Sequence, residues 1–78
     1  MKISTKQIRT SSLLIEQVFA DEVHIGLMTR PINQPTAPVR AYYVENGNKL
    51  DIGIFSGGNI ARGNAKTAII DRYRRTKN

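Results

Sequence analysis

Residues 39–55 read Val-Arg-Ala-Tyr-Tyr-Val-Glu-Asn-Gly-Asn-Lys-Leu-Asp-Ile-Gly-Ile-Phe, and this stretch decides the fold. Alternate positions from Val39 to Tyr43 share one side of an extended chain, and so do the apolar positions from Leu50 to Ile54. Period-two alternation is typical of strands that bury one face. Asn46-Gly47 lies between the two runs and supplies the left-handed backbone that a tight hairpin turn requires. The stretch therefore predicts an antiparallel β-hairpin.

A third strand is predicted upstream over residues 23–28, because Val23, Ile25 and Leu27 alternate along it. The single histidine, His24, then lies on the other face. With no second histidine and no carboxylate placed to orient it, we interpret it as a partly exposed strand residue.

Residues 11–20 have apolar side chains at helical spacing behind two serines that can cap a helix: Leu14, Ile15, Val18 and Phe19. We therefore predict an N-terminal helix there. The alternative is a hairpin in which residues 13–19 turn at Ala20-Asp21-Glu22 and return as residues 23–28. The apolar triplet Leu13-Leu14-Ile15 breaks the alternation that such a strand requires.

The segment Thr29–Pro38 carries all three prolines, which fix their own φ and extend the preceding residue, so it is predicted to be a stiff connecting loop. Beyond Phe55 the chain turns through glycines, and Asn64 is a candidate cap for a helix from about Ala65 to Arg75. The predicted apolar side of this helix consists of Ala65, Ala68, Ile69 and Tyr73, with Ile70 at its margin.

The 78 residues predict a single small domain over residues 1–78, because so short a chain buries only about 60% of its unfolded surface. The predicted fold class is α+β: a three-stranded antiparallel sheet with an N-terminal helix and a C-terminal basic helix. Its small core leads us to expect a homodimer.

Charge is the strongest functional signal, because the net charge is +6 and residues 56–78 hold six basic residues against Asp71 alone. Asp71 is also placed to pair with Arg74 and Arg75 on the helix. A basic surface favours a polyanionic partner, and we predict non-enzymatic nucleic-acid binding, with DNA and RNA not distinguished. The predicted contacts are Arg62, Lys66, Arg72, Arg74, Arg75 and Lys77 on the helix, extended by Arg40 and Tyr42 from the hairpin.

No catalytic motif accompanies these residues. The segment from Gly58 to Gly63 has the spacing of a Walker A loop, but Asn64-Ala65 replaces the required Lys-Ser/Thr pair. With one histidine and no cysteine, no catalytic triad or metal site is specified, and we predict neither a cofactor nor enzymatic activity. RNA cleavage by clustered Arg, Lys and Tyr, as in small basic ribonuclease toxins, is an alternative that no motif carries.

The other alternative is a protein-interaction module, an inhibitor or adaptor of a phage or mobile element, with Tyr42 and Tyr43 as anchors on the sheet. The first six residues lack the apolar core of a signal peptide, and no apolar run is long enough to span a bilayer. We therefore expect a cytoplasmic protein without membrane contact.

Overall fold

The computed structural model describes residues 1–77 and shows a five-stranded antiparallel sheet with one helix packed on one of its faces. The strands follow one another across the sheet in chain order. They are β1 (Ile3–Arg9), β2 (Leu13–Ala20), β3 (Val23–Pro31), β4 (Val39–Glu45) and β5 (Asn48–Phe55). A 3-10 helix (Gly58–Ile60) leads into α1 (Ala61–Lys77).

The core lies between α1 and the strands beneath it, β3, β4 and β5, with β2 contributing at its edge. From the helix, Ala61, Ala65 and Ile69 are buried at four-residue spacing, which places them on one helix face, and Tyr73 continues the same row at the margin of the core. Gly26 lies directly under Ile69, where an added β-carbon would come closer than 3.0 Å to the Ile69 side chain. The glycine therefore sets how closely helix and sheet approach.

The predicted N-terminal helix is wrong, because residues 13–20 form β2 and the hairpin alternative is correct. Asp21 and Glu22 make the turn with φ of 49° and 71°, and Ala20 pairs with Val23. The apolar triplet is compatible with a strand because β2 is apolar on both faces: Leu14 points toward the helix, and Ile15 toward the other face.

The prediction of three strands is also wrong, because residues 3–9 form a further strand, β1, that pairs with β2 along its whole length. β1 lies at the edge of the sheet, and all of its residues after Ile3 are exposed. An edge strand with solvent on its flanks does not need apolar alternation, which explains why the sequence pattern did not indicate it.

The predicted central hairpin is confirmed, with Glu45 paired to Asn48 and positive φ at both Asn46 and Gly47. The C-terminal helix is confirmed too, but it begins at Ala61, so Asn64 lies inside the helix and is not its cap. The predicted loop at Thr29–Pro38 is wrong for its first three residues, because β3 continues to Pro31.

The second sheet face carries no helix, and we call it the open face. It holds the side chains that alternate with the buried ones, including Ile15, Leu27 and Tyr42, each half-buried by its neighbours. Within the described residues, no helix is long and apolar enough to cross a membrane.

Candidate nucleic-acid interface

The last two turns of α1 carry four cationic side chains, Arg72, Arg74, Arg75 and Lys77, which we call the helix-end cluster. The helix end is held in place by Thr76, whose hydroxyl lies 3.0 Å from the Tyr43 hydroxyl and donates a hydrogen bond to the Tyr73 carbonyl oxygen. The cluster is therefore attached to β4 at a defined position.

Two cations of the cluster lie against aromatic rings. The Arg72 guanidinium lies 5.8 Å from the centre of the Tyr43 ring, and the Lys77 ammonium lies 5.4 Å from the centre of the Tyr73 ring. Arg74 and Arg75 are exposed and make no such contact within residues 1–77. These two arginines are therefore the charges of the cluster that lie against no aromatic ring of residues 1–77.

Ion pairing does not neutralise the cluster inside the described part of the chain. Residues 1–77 contain two ion pairs, Arg62 with Glu16 and Arg40 with Asp51. The predicted pairing of Asp71 with Arg74 and Arg75 is wrong, because neither arginine is within ion-pair distance of that carboxylate. Within residues 1–77, therefore, no carboxylate neutralises any of the four guanidinium and ammonium groups.

Open hollows border the cluster on both sides of the helix. One, of about 310 Å³, lies between Arg72 and the β4–β5 turn and is lined by Lys49, Asn46 and Asn48. The other, of about 290 Å³, lies between Lys77, Tyr73 and β3. Lys49 lines the first hollow, but its ammonium group lies over the Tyr42 ring on the open face and does not join the cluster. Nothing in the sequence indicated that the β4–β5 turn lies beside the helix end.

Arg62 was predicted as a phosphate contact, but it is bound within the fold. Its Nε donates to Glu16 Oε1 at 2.6 Å, and its Nη2 donates to Glu16 Oε2 in a two-pronged ion pair. Glu16 is 6% exposed, while about half of the Arg62 side chain remains exposed. The ion pair links the first turn of α1 to β2.

The Glu16 carboxylate is held in its ionised form by this environment. Burial alone would raise its pKa, but the hydrogen bonds and positive charge of Arg62 outweigh burial and leave the pKa below 4.5. The Thr5 hydroxyl and the charge of Lys66 act in the same direction. The hydrogen bond to Glu16 in turn raises the Arg62 pKa. Lys66 is half-buried in the same region, away from the helix-end cluster.

The remaining predicted residues, Arg40 and Tyr42, lie on the open face, opposite the helix. The Arg40 guanidinium pairs with Asp51 at 3.0 Å, and the Lys49 ammonium lies 5.4 Å from the centre of the Tyr42 ring. Tyr43, predicted as a surface anchor, is buried beneath the helix at 5% exposure. The eight predicted contacts therefore divide among three surfaces, and only the helix-end cluster gathers four of them.

The single histidine, His24, lines the hollow beside Lys77 and makes its contacts within the fold. His24 is half-buried, as predicted; its Nε2 lies 2.8 Å from the Gly26 carbonyl oxygen, and its ring is 5.2 Å from Phe19 on the open face. Over residues 1–77, no group of three His, Cys, Asp or Glu side chains is arranged to hold a metal ion.

Comparisons with known proteins add no further guide to the site: no protein-family model, curated protein or solved structure matches this chain.

Proposed function

We propose that this protein binds nucleic acid through phosphate contacts made by the helix-end cluster. The observation that carries the proposal is the accessibility of Arg72, Arg74, Arg75 and Lys77, none of which is paired with a carboxylate of residues 1–77. Four cations within two helical turns outweigh the roughly half negative charge at a helix C-terminus. Phosphate groups are the abundant anions that such a cluster attracts.

The function is non-enzymatic in this proposal, and the contacts are independent of base sequence. Arginine guanidinium groups bind phosphate through paired N–H donors, and two of the four cations project freely enough to do so. Contacts of this kind fix a nucleic acid in place but do not read its bases. A cytoplasmic location, where RNA and DNA are both accessible, fits this function.

A protein-interaction module is the second candidate, and one observation favours it. The open face exposes apolar side chains that α1 does not cover, including Ile54 at 59% and Ile8 at 40%. Apolar side chains gathered on one face of a small domain are typical of a contact surface. The two functions use opposite sides of the sheet and are therefore compatible.

The direct test is fluorescence anisotropy of labelled single-stranded and duplex oligonucleotides, at low salt, with nuclease-treated protein. The test variant is R74E/R75E, which reverses two exposed charges that lie against no aromatic ring and leaves Arg72 on its Tyr43 ring. The matched control is R9E/R30E, at the opposite end of the sheet. Each Arg-to-Glu change removes two charge units, so both variants lower the net charge from +6 to +2.

We expect the wild-type protein and R9E/R30E to bind, and R74E/R75E to lose at least about tenfold in affinity, because two phosphate contacts become repulsive. If the two variants lose affinity equally, net charge and not the cluster is responsible. Absence of wild-type binding to every oligonucleotide would refute the proposal.

A further inference from the structure

The open face carries more positive than negative charge. Directly paired residues of antiparallel strands point to the same side of the sheet, so the register identifies the charged side chains of this face. Among the described strand residues, Asp51 is the one carboxylate there, and it is paired with Arg40 at 3.0 Å. Lys6 on β1 and Lys49 on β5 are in no ion pair with a carboxylate of residues 1–77. The surplus of cations favours a polyanionic ligand.

Two half-buried aromatic side chains, Phe19 on β2 and Tyr42 on β4, lie on the same face. The Phe19 ring packs against the His24 ring, with 5.2 Å between the ring centres. Phe19 is two residues along β2 from Gln17, which lies in the same row as Tyr42, two strands away. Strands about 4.8 Å apart, with residues about 3.3 Å apart along each, separate the α-carbons of Phe19 and Tyr42 by about 12 Å. Two bases of one strand can therefore reach both rings.

Both unpaired lysines lie near the Tyr42 ring or in its row. The Lys49 ammonium is 5.4 Å from the centre of that ring, and the Lys49 side chain is exposed. A cation–π contact at an exposed site is weak, so this flexible side chain can leave the ring to a base and contact the adjoining phosphate. Lys6 lies in the same row as Tyr42, three strands away on β1. Surfaces that bind single-stranded nucleic acid combine cations and stacking rings in this way.

Stacking on these rings requires bases that are not paired. In a duplex each base face is covered by its neighbours, whereas the bases of a single strand can be splayed out and stacked on aromatic side chains. Phosphate contacts alone do not distinguish the two forms by their bases. The cations of the open face favour a polyanion, and its rings favour planar groups. A single strand of nucleic acid supplies both.

We propose that the open face binds single-stranded nucleic acid, with bases stacked on Tyr42 and Phe19 and with phosphates contacted by Lys6 and Lys49. This site lies on the other side of the sheet from the helix-end cluster and does not depend on it. Every base has a face that can stack, so the site prefers single strands to duplexes without selecting a base sequence.

The test compares two labelled strands of about ten residues, oligothymidylate and an abasic strand with the same phosphates, by fluorescence anisotropy at low salt. We expect the nuclease-treated wild-type protein to bind oligothymidylate at least about fivefold more tightly than the abasic strand. Y42L keeps apolar bulk but removes the ring. It should lose at least about fivefold in affinity for oligothymidylate and nothing for the abasic strand. Y42F keeps the ring, is the matched control, and should bind both strands as the wild-type protein does.

Equal wild-type affinity for the two strands overturns this proposal alone and leaves the open face to a protein partner, whereas binding to neither overturns it together with the helix-end contact. This comparison needs no variant, so it decides the matter even if far-UV circular dichroism shows that Y42L is unfolded. A folded Y42L that binds oligothymidylate as tightly as Y42F also overturns the proposal. The preference for oligothymidylate should persist in R74E/R75E; its loss there would place the base contacts at the helix end and overturn the assignment to the open face.

Discussion

Among residues 1–77, Glu16 is the only buried charged residue, and its pairing with Arg62 ties the first turn of α1 to β2. The two partners are unequal, because Glu16 is desolvated whereas half of the Arg62 side chain is in water. Removing a partner from a buried pair is costly when it leaves the other charge buried and unpaired. The loss in the free energy of unfolding must therefore depend on whether Arg62 or Glu16 is substituted.

We predict that R62Q lowers the free energy of unfolding by about 2 to 3 kcal/mol, less than for a fully buried pair because Arg62 is half-exposed. E16Q should cost less, since the freed Arg62 can be hydrated. Chemical denaturation of both variants measures the difference. An R62Q that is no less stable than E16Q would show that the carboxylate is not held by this pair.

Lowering the pH should weaken the same interaction between Glu16 and Arg62. The folded pKa of Glu16 lies below its ordinary 4.5, so the stabilisation is complete above that pH and is lost as the pH falls through the lower folded value. The wild-type protein should consequently lose stability more steeply than E16Q between about pH 5 and pH 3. Parallel curves for the two proteins would contradict the assignment.

Gly26 limits the approach of α1 to the sheet, and G26A should cost about 1 to 3 kcal/mol because its methyl group enters the space of Ile69. In a double-mutant cycle, G26A should cost much less when Ile69 is already alanine. The matched control is G63A, on the exposed side of α1 with no atom within 4 Å of the added carbon. It should stabilise the protein by up to about 1 kcal/mol. Equal effects of G26A and G63A would contradict this packing.

At the scale of elements, the two tight turns of the sheet have similar positive φ angles but different sequences. Asn46-Gly47 has φ of 54° and 79°, and Asp21-Glu22 has 49° and 71°. The first pair is the usual sequence for such a turn, whereas glutamate at φ of 71° is strained. Pairing between the flanking strands must hold Glu22 in that conformation.

E22G should therefore stabilise the domain by about 0.5 to 1 kcal/mol, the relief of a left-handed residue less the entropy of glycine. G47A changes the corresponding position of the other turn and should destabilise it by a similar amount. Thermal unfolding measures both. A loss of stability in E22G would mean that its side chain contributes more than its backbone strain.

These turns also show how far the sequence predicts the elements. Asn46-Gly47 between alternating runs identified the central hairpin, but not the irregularity that shifts its register between Ala41 and Tyr42. Asp21-Glu22 carries no comparable turn signal, and Leu13-Leu14-Ile15 satisfies a helix as well as a strand that is apolar on both faces. The β2–β3 hairpin was therefore only the alternative. Tertiary pairing along β1 and β3, which no local pattern contains, settles the choice.

The candidate site was predictable only in part, because long-range pairing is not visible in a local sequence pattern. The accumulation of basic residues on the last helix is visible in the sequence, and the structure brings Arg72, Arg74, Arg75 and Lys77 together there. The capture of Arg62 by Glu16 joins residues 46 positions apart, and the pairing of Arg40 with Asp51 joins positions across a hairpin. Long-range partners of this kind decide which cations remain available.

At the scale of the whole molecule, the two sides of the sheet have different surfaces. The side with α1 presents the helix-end cluster, and the open face presents exposed apolar side chains, including Ile8 and Ile54, beside the ion pair of Arg40 with Asp51. The two surfaces lie on opposite sides of the sheet, so the proposed nucleic-acid contact by the cluster leaves the open face uncovered.

The salt dependence of binding tests the central claim, phosphate contact by the helix-end cluster, most directly. The logarithm of the association constant should fall linearly with the logarithm of salt concentration. The magnitude of this slope should be smaller in R74Q/R75Q by about 1.4 on single strands and about 1.8 on duplex, because two fewer phosphate contacts release counterions. R9Q/R30Q, with the same net charge, should keep the wild-type slope. A slope that is unchanged in R74Q/R75Q, or no binding at low salt, would contradict the account.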